Sequence, residues 1–104
     1  MAATGTRDLE EVRRIVLDAL RALPARIFLF GSHARGEARP TSDIDVAVLP
    51  LAPLPPGALS LLRERLEEST VAAEVEIVDL GEADEVLRDR VFREGVEWTA
   101  FTNV

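Results

Sequence analysis

The chain has 104 residues, 47% of them hydrophobic and 30% charged, with a formal net charge of −7. This length fits a single domain over 1–104 with a modest core. Cysteine is absent, which excludes disulfides, thiolate catalysis and cysteine-ligated zinc, and the acidic surplus argues against DNA or RNA held by its phosphates, since such domains are usually basic.

No apolar run is long enough to cross a bilayer, so no membrane association is expected. The first residues, MAATGTRDLEEVRR, lack the apolar stretch of a signal peptide, and the cytoplasm is the default compartment. The acidic charge still allows a small phosphate ligand that enters with a metal ion. It also suits a basic protein partner.

Leu9, Val12, Val16, Leu20 and Leu23 recur at helical spacing, widened by Ile15 and Leu17. They predict an amphipathic helix over about 7–22, ended near Pro24. The run RIFLF at 26–30 suits a short strand covered on both sides. Residues 31–42 hold Gly, Ser, Pro and Thr and read as a turn or short helical loop. Asp43 to Leu49 reads as a second strand, with Ile44, Val46 and Val48 on one side and Asp43, Asp45, Ala47 and Leu49 on the other.

Four prolines stiffen the connector at 50–56. A helix is expected over 58–69, with Ala58, Leu59, Leu62 and Leu66 on one face. VAAEVEIVDL at 71–80 reads as a third strand. A last helix over about 82–94 would turn Ala83, Val86, Leu87 and Val91 inward and end at Gly95. The tail EWTAFTNV is ambiguous; Trp98 and Phe101 read as core packing or part of a partner interface. The order α-β-β-α-β-α implies an α/β (α+β) domain, a small mixed sheet of about three strands flanked by helices.

Asp43 and Asp45 stand within a run of Ile, Val, Ala and Leu. Side chains two apart on a strand point the same way, with Cα atoms about 6.6 Å apart. A bare pair would repel, and one member would tend to keep a proton. A hard cation such as Mg²⁺ removes that conflict and offers a docking point for a triphosphate. The competing reading is the polar face of a half-exposed strand.

Three neighbours favour the cation. Gly31 and Ser32 follow the first strand directly, and glycine lets a ligand approach the backbone closely. Ser42 precedes Asp43 and can lock the turn by bonding its backbone. Glu76 shares a face of the third strand with Glu74 and Val78. If that strand lies beside the second, Glu76 joins the Asp pair as the third acid a two-metal phosphoryl-transfer site needs. Asp79, on the other face, is the rival. His33, Arg35 and Arg39 lie in the same loop; Arg35 is the first candidate to neutralise phosphate charge.

Together, Gly31-Ser32, Ala34-Arg35-Gly36 and Ser42-Asp43-Ile44-Asp45 resemble the motif of the polymerase-beta-type nucleotidyltransferases. The chain is similar to their minimal, single-domain members, the MNT-type antitoxins of HEPN/MNT pairs. The resemblance implies a nucleotidyltransferase-like fold. It also implies transfer of a nucleoside monophosphate, AMP from ATP, to a hydroxyl with release of pyrophosphate. Gly31, Ser32, Arg35 and Ser42 would serve the nucleotide; Asp43, Asp45 and Glu76 would be catalytic and hold two Mg²⁺ ions. The partner implied is a small helical HEPN-type protein whose tyrosine is modified. Glu76 stands in Val75-Glu76-Ile77 where the family usually has Asp, one methylene shorter. The rival functions are a binding module that neutralises a partner without chemistry and, with no nucleophile or histidine cluster to support it, a metal-dependent phosphohydrolase.

Overall fold

The computed structural model describes residues 4–39 and 41–99. In chain order the elements are α1 (Thr4–Leu20), β1 (Ala25–Phe30), α2 (Ser32–Arg35), β2 (Ile44–Pro50), α3 (Ala58–Glu67), β3 (Val75–Asp79), α4 (Glu85–Glu94) and β4 (Val96–Glu97). The mixed α/β architecture agrees with the sequence, and the short helical loop expected after β1 is the single turn of α2. The strand count differs: the sheet has four strands where about three are expected, in the order β3-β2-β1-β4.

β1 pairs antiparallel with β2 and with β4, while β2 and β3 are parallel. The parallel pair needs a crossover, and the proline-rich loop with α3 supplies it. β4 is the strand hidden in the ambiguous tail. Two residues carry no readable periodicity, and tertiary pairing forms the strand. Leu29 pairs with Val96 and Phe28 with Glu97, and the Trp98 amide donates to the Ile27 carbonyl at 2.8 Å. Arg26 holds the strand through a two-pronged bond to Glu97 at 2.9 and 2.7 Å. Trp98 packs against the core, and Phe101 lies outside the described residues.

The sheet has two unlike faces. On one, Ile27, Leu29, Ile44, Val46, Val48 and Ile77 pack against Val12, Ile15, Val16 and Leu20 of α1 and Leu62 and Leu66 of α3. This is the stripe that the spacing in α1 and α3 predicts. On the other, a smaller cluster of Phe28, Ala47, Leu80 and Val91 is bordered by Phe30, Leu49, Val78, Ala83 and Leu87.

β3 starts at Val75, later than the Val71 expected. The cause is Asp8 of α1, buried at 7% exposure. Its carboxylate accepts from the Ala72 and Ala73 amides at 3.2 and 3.0 Å, holding those residues outside the strand. At the outer edge of β3, Arg63 donates to the Ile77 carbonyl at 3.0 Å, which blunts an otherwise open strand. In α4, Val86 does not face inward as expected; it is 77% exposed. Asp84 caps the helix by accepting from the Leu87 amide at 2.9 Å. That start sets Leu87 and Val91, four apart, on the face that meets the sheet, and turns Val86 about 100° away.

Candidate active site

α4 covers only part of its face of the sheet, and the uncovered part is an open cleft of about 480 Å³. Its floor is Phe30, Asp45, Glu76 and Val78, at the start of the parallel pair. Asp45 sits directly opposite Glu76 in the β2–β3 register and opposite Phe30 in the β1–β2 register. The expected neighbourhood of Glu76 is therefore met. Asp43 lies two residues before Asp45 and lines the same cleft. Asp79 does not join them: it pairs with Val48 further along, and its carboxylate accepts from the Gly81 amide at 2.8 Å.

Gly31 turns the chain out of β1 with φ 79°. That region disfavours side chains, and a Cβ here would run into the Asp45 carboxylate. The glycine is thus required twice, for its dihedral and for the space its missing side chain leaves to Asp45. Ser32 follows at the cleft wall, in the single turn of α2 that Gly36 ends with φ 74°. Ser42 locks the return loop as expected: its hydroxyl accepts from the Arg39 amide at 2.8 Å, and its own amide donates to the Arg39 carbonyl at 2.9 Å. Arg39 itself is exposed and does not line the cleft.

Burial pushes the Asp45 carboxyl above its ordinary value, and the charges of Glu76 and Asp43 push it further. His33 and Arg35 oppose this more weakly. The three acids therefore repel one another without full compensation from the protein, and a bound cation would relieve that repulsion. Among the described residues no three His, Asp or Glu side chains already form a group able to hold a metal ion. What the donor set fits is a hard, oxygen-seeking ion that takes one or two carboxylates and completes its shell with water and phosphate.

Arg35 lines the cleft, with its Nε bonded to Glu37 at 3.0 Å. His33 lies on the same turn but not on the cleft wall, and its Nε2 is buried with no partner among the described residues. Sequence reasoning misses Phe30, Val78, Leu87 and Arg90 of the lining. Parity with Phe28 and Glu76 gives the first two, while Leu87 and Arg90 require knowing where α4 docks. A larger hollow of about 540 Å³ lies at the other end of β2, between the proline-rich loop and Asp79–Glu82. It has neither the three acids nor the arginines that line the smaller cleft. Among the described residues no helix is long and apolar enough to cross a membrane.

Residues 20–98, which contain the strand–glycine turn–strand unit and its paired carboxylates, match the family described as Polymerase beta, Nucleotidyltransferase. The chain belongs to that family. It is 39% identical over 69 residues to the protein adenylyltransferase MntA of Shewanella oneidensis, covering 66% of this chain and 49% of MntA. It therefore spans about half the length of that relative. MJ0435 of Methanocaldococcus jannaschii, whose name suggests protein adenylyltransferase activity, is 33% identical over 88 residues, 82% of this chain and 90% of its own.

Among solved structures, a toxin–antitoxin complex with AMP-PNP contains a chain 32% identical, with a TM-score of 0.69, matched over 86% of this chain and 74% of that one. A structure of tri-AMPylated Shewanella oneidensis HEPN toxin in complex with MNT antitoxin matches with a TM-score of 0.62 and 29% identity, over 88% of this chain and 72% of that one.

Proposed function

We propose that this chain, acting as one domain in the cytoplasm, transfers AMP from ATP to a hydroxyl of a protein, a tyrosine of a small helical HEPN-type toxin, and so serves as its antitoxin. The observation that carries this is the register pair of Asp45 and Glu76 on the open sheet face, beside Gly31, whose missing side chain leaves room for the Asp45 carboxylate. The names of the relatives add the acceptor class: a protein adenylyltransferase and an AMPylated HEPN toxin.

Asp43 and Asp45 would hold magnesium, two ions in the fullest version, with Glu76 as third donor or as base. Bound there, magnesium would neutralise triphosphate charge and draw electrons from the α-phosphorus. The acceptor oxygen bonds to the α-phosphorus. The bridging P–O bond to the β-phosphate breaks, pyrophosphate leaves with that electron pair, and the hydroxyl proton passes to a carboxylate, the role this reading gives to Glu76. Gly31 and Ser32 let the phosphates approach the backbone, and Arg35 offsets their charge. Ser42 keeps the loop before Asp43 in position.

One observation favours a second reading, neutralisation by binding alone: the third acid is Glu76 where the family usually has Asp. Incubation with labelled ATP, magnesium and a HEPN-type partner separates the two. Label on the partner, absent with Asp43→Asn, supports transfer. A tight complex without label, in which Asp43→Asn still neutralises the partner, supports binding alone.

A further inference from the structure

Arginines from two helices, Arg35 and Arg90, line the cleft, and one carboxylate lies near both. Arg35 stands on α2, and Arg90 stands on α4 three residues after Leu87, which lines the same wall. Arg35 already spends its Nε on Glu37 at 3.0 Å, a true hydrogen bond. Its Nη1 reaches Glu94 Oε1 at 3.7 Å, and Arg90 Nε reaches the same oxygen at 3.9 Å. Both contacts exceed hydrogen-bond length. With the Arg90 side chain 55% exposed and that of Glu94 40% exposed, such pairs hold weakly.

Glu94 therefore leaves Arg90 poorly satisfied. Among the described residues it is Arg90's ion-pair partner, and it offers one distant oxygen to a guanidinium that presents five donors. Meanwhile three carboxylates, Asp43, Asp45 and Glu76, line the cleft and repel an incoming polyanion. A cation on the α4 wall would offset that repulsion. Guanidinium matches phosphate oxygens in a planar, two-pronged way that a single distant carboxylate oxygen does not exploit.

We propose that Arg90 binds the triphosphate of the nucleotide, and that Glu94 is the internal anion that shares Arg90 with Arg35 until the nucleotide displaces it. This rests on the nucleotidyl transfer reading above and adds a ligand from α4 to it. The triphosphate, with more charge and more oxygens than one carboxylate, takes both arginines from Glu94, which then faces solvent.

Calorimetry of the full chain with magnesium-ATP, and separately with magnesium and inorganic tripolyphosphate, tests both halves. Arg90→Ala weakens both ligands about tenfold, the loss expected for one charge-assisted contact, and Arg90→Lys recovers part of it. Glu94→Gln tightens both about threefold, by removing a weak competing ion pair. Thermal melts that match wild type exclude misfolding. In the transfer assay Arg90→Ala raises KM for ATP and leaves KM for the acceptor unchanged.

Unchanged binding in Arg90→Ala overturns the assignment, as does a rise in acceptor KM alone, which would place Arg90 against the partner. Weaker binding in Glu94→Gln makes Glu94 a positioning residue and overturns the shared-anion role. If wild type binds magnesium-ATP but moves no label, the transfer reading fails, and the role of Arg90 is still decided by the binding data. If wild type binds neither ligand, both fail.

Discussion

The two faces of the sheet use alternate residues of the same strands and have opposite characters. On the α1–α3 side, β2 contributes Ile44, Val46 and Val48, all fully buried in the larger apolar cluster. On the α4 side it contributes Asp45, Ala47 and Leu49, and only Ala47 is buried. Period-two alternation lets a seven-residue strand serve both ends. The covered face supplies stability, and it can do so without help from the acidic face. That frees the acidic face to carry carboxylates that repel one another, a cost a small domain tolerates only when its other side is well packed.

The sharpest way to break this division is Asp45→Asn. Label transfer falls by about 10²–10⁴-fold, the range for losing a charged group that acts on the reacting centre, while the fold does not weaken. The sign of the stability effect follows from the raised Asp45 carboxyl. The folded chain binds that proton more tightly than the unfolded chain. Stability of the metal-free protein therefore falls as pH rises from the ordinary aspartate value through the raised one, and the penalty is complete above it. At neutral pH in chelator, Asp45→Asn melts at or above wild type, and the gain fades as pH drops below the ordinary value. A clear drop in Tm at neutral pH would make Asp45 a structural residue.

The converse test is Leu62→Ala on the covered face. Leu62 is 1% exposed, and its loss costs about 2–5 kcal/mol, or a fall in Tm of roughly 10 °C or more for a domain of this size. Val91→Ala, the counterpart on the α4 face, costs about 1.5 kcal/mol by area alone. Denaturant melts that rank Val91 above Leu62 would show that stability is shared equally, contrary to the asymmetry of the two clusters. At temperatures where Leu62→Ala remains folded, its transfer activity stays within a factor of two or so of wild type, since the residue touches no part of the cleft.

Gly31→Ala tests the seam between the two roles. The positive φ costs about 1–3 kcal/mol in any non-glycine residue. The added Cβ also displaces the Asp45 carboxylate, so activity falls together with stability. Gly36→Ala is the milder control: its φ is similar, but its ψ of 20° lies in the left-handed helical region, less costly for a side chain than the ψ of −156° at Gly31, and nothing lies within 4 Å of its Cβ. It loses stability and keeps most of its activity. Equal losses of activity in the two variants would show that strain, and not the Asp45 contact, is what Gly31 relieves.

The same asymmetry explains what was legible in the sequence. The covered face was legible because α1 and α3 repeat apolar residues at helical spacing and β2, though it alternates only partly, sets Ile44, Val46 and Val48 on one side. Asp43 and Asp45 were legible because the strand period gives them one parity and the Gly31-Ser32 turn marks where the first strand ends; parity alone leaves Glu76 and Asp79 as rivals, and the family resemblance is what favours Glu76. Three features were not legible. β4 is two residues long and exists only through pairing with β1. The late start of β3 depends on Asp8, more than sixty residues away in sequence. Arg90 reaches the cleft only because α4 docks with Leu87 and Val91 against the sheet, and a helix's rotation about its axis is set by its cap and its contacts, not by its composition.

That rotation yields the smallest and most discriminating prediction. Val86 reads as an inward residue in the sequence yet is 77% exposed, while Leu87 beside it packs on the Phe28 cluster. Val86→Gln should change stability by no more than about 0.5 kcal/mol, as for most exposed positions, with a slight gain from better helix propensity. Leu87→Gln should cost about 1–3 kcal/mol, since an amide is placed against an apolar cluster with no partner. If the two reverse, α4 is rotated by one residue, Leu87 and Arg90 leave the cleft wall together, and the acidic face is bounded by different side chains. If they hold, the small face of the sheet is anchored by few residues, and the helix that closes the cleft is set by the Asp84 cap and the Leu87–Val91 pair.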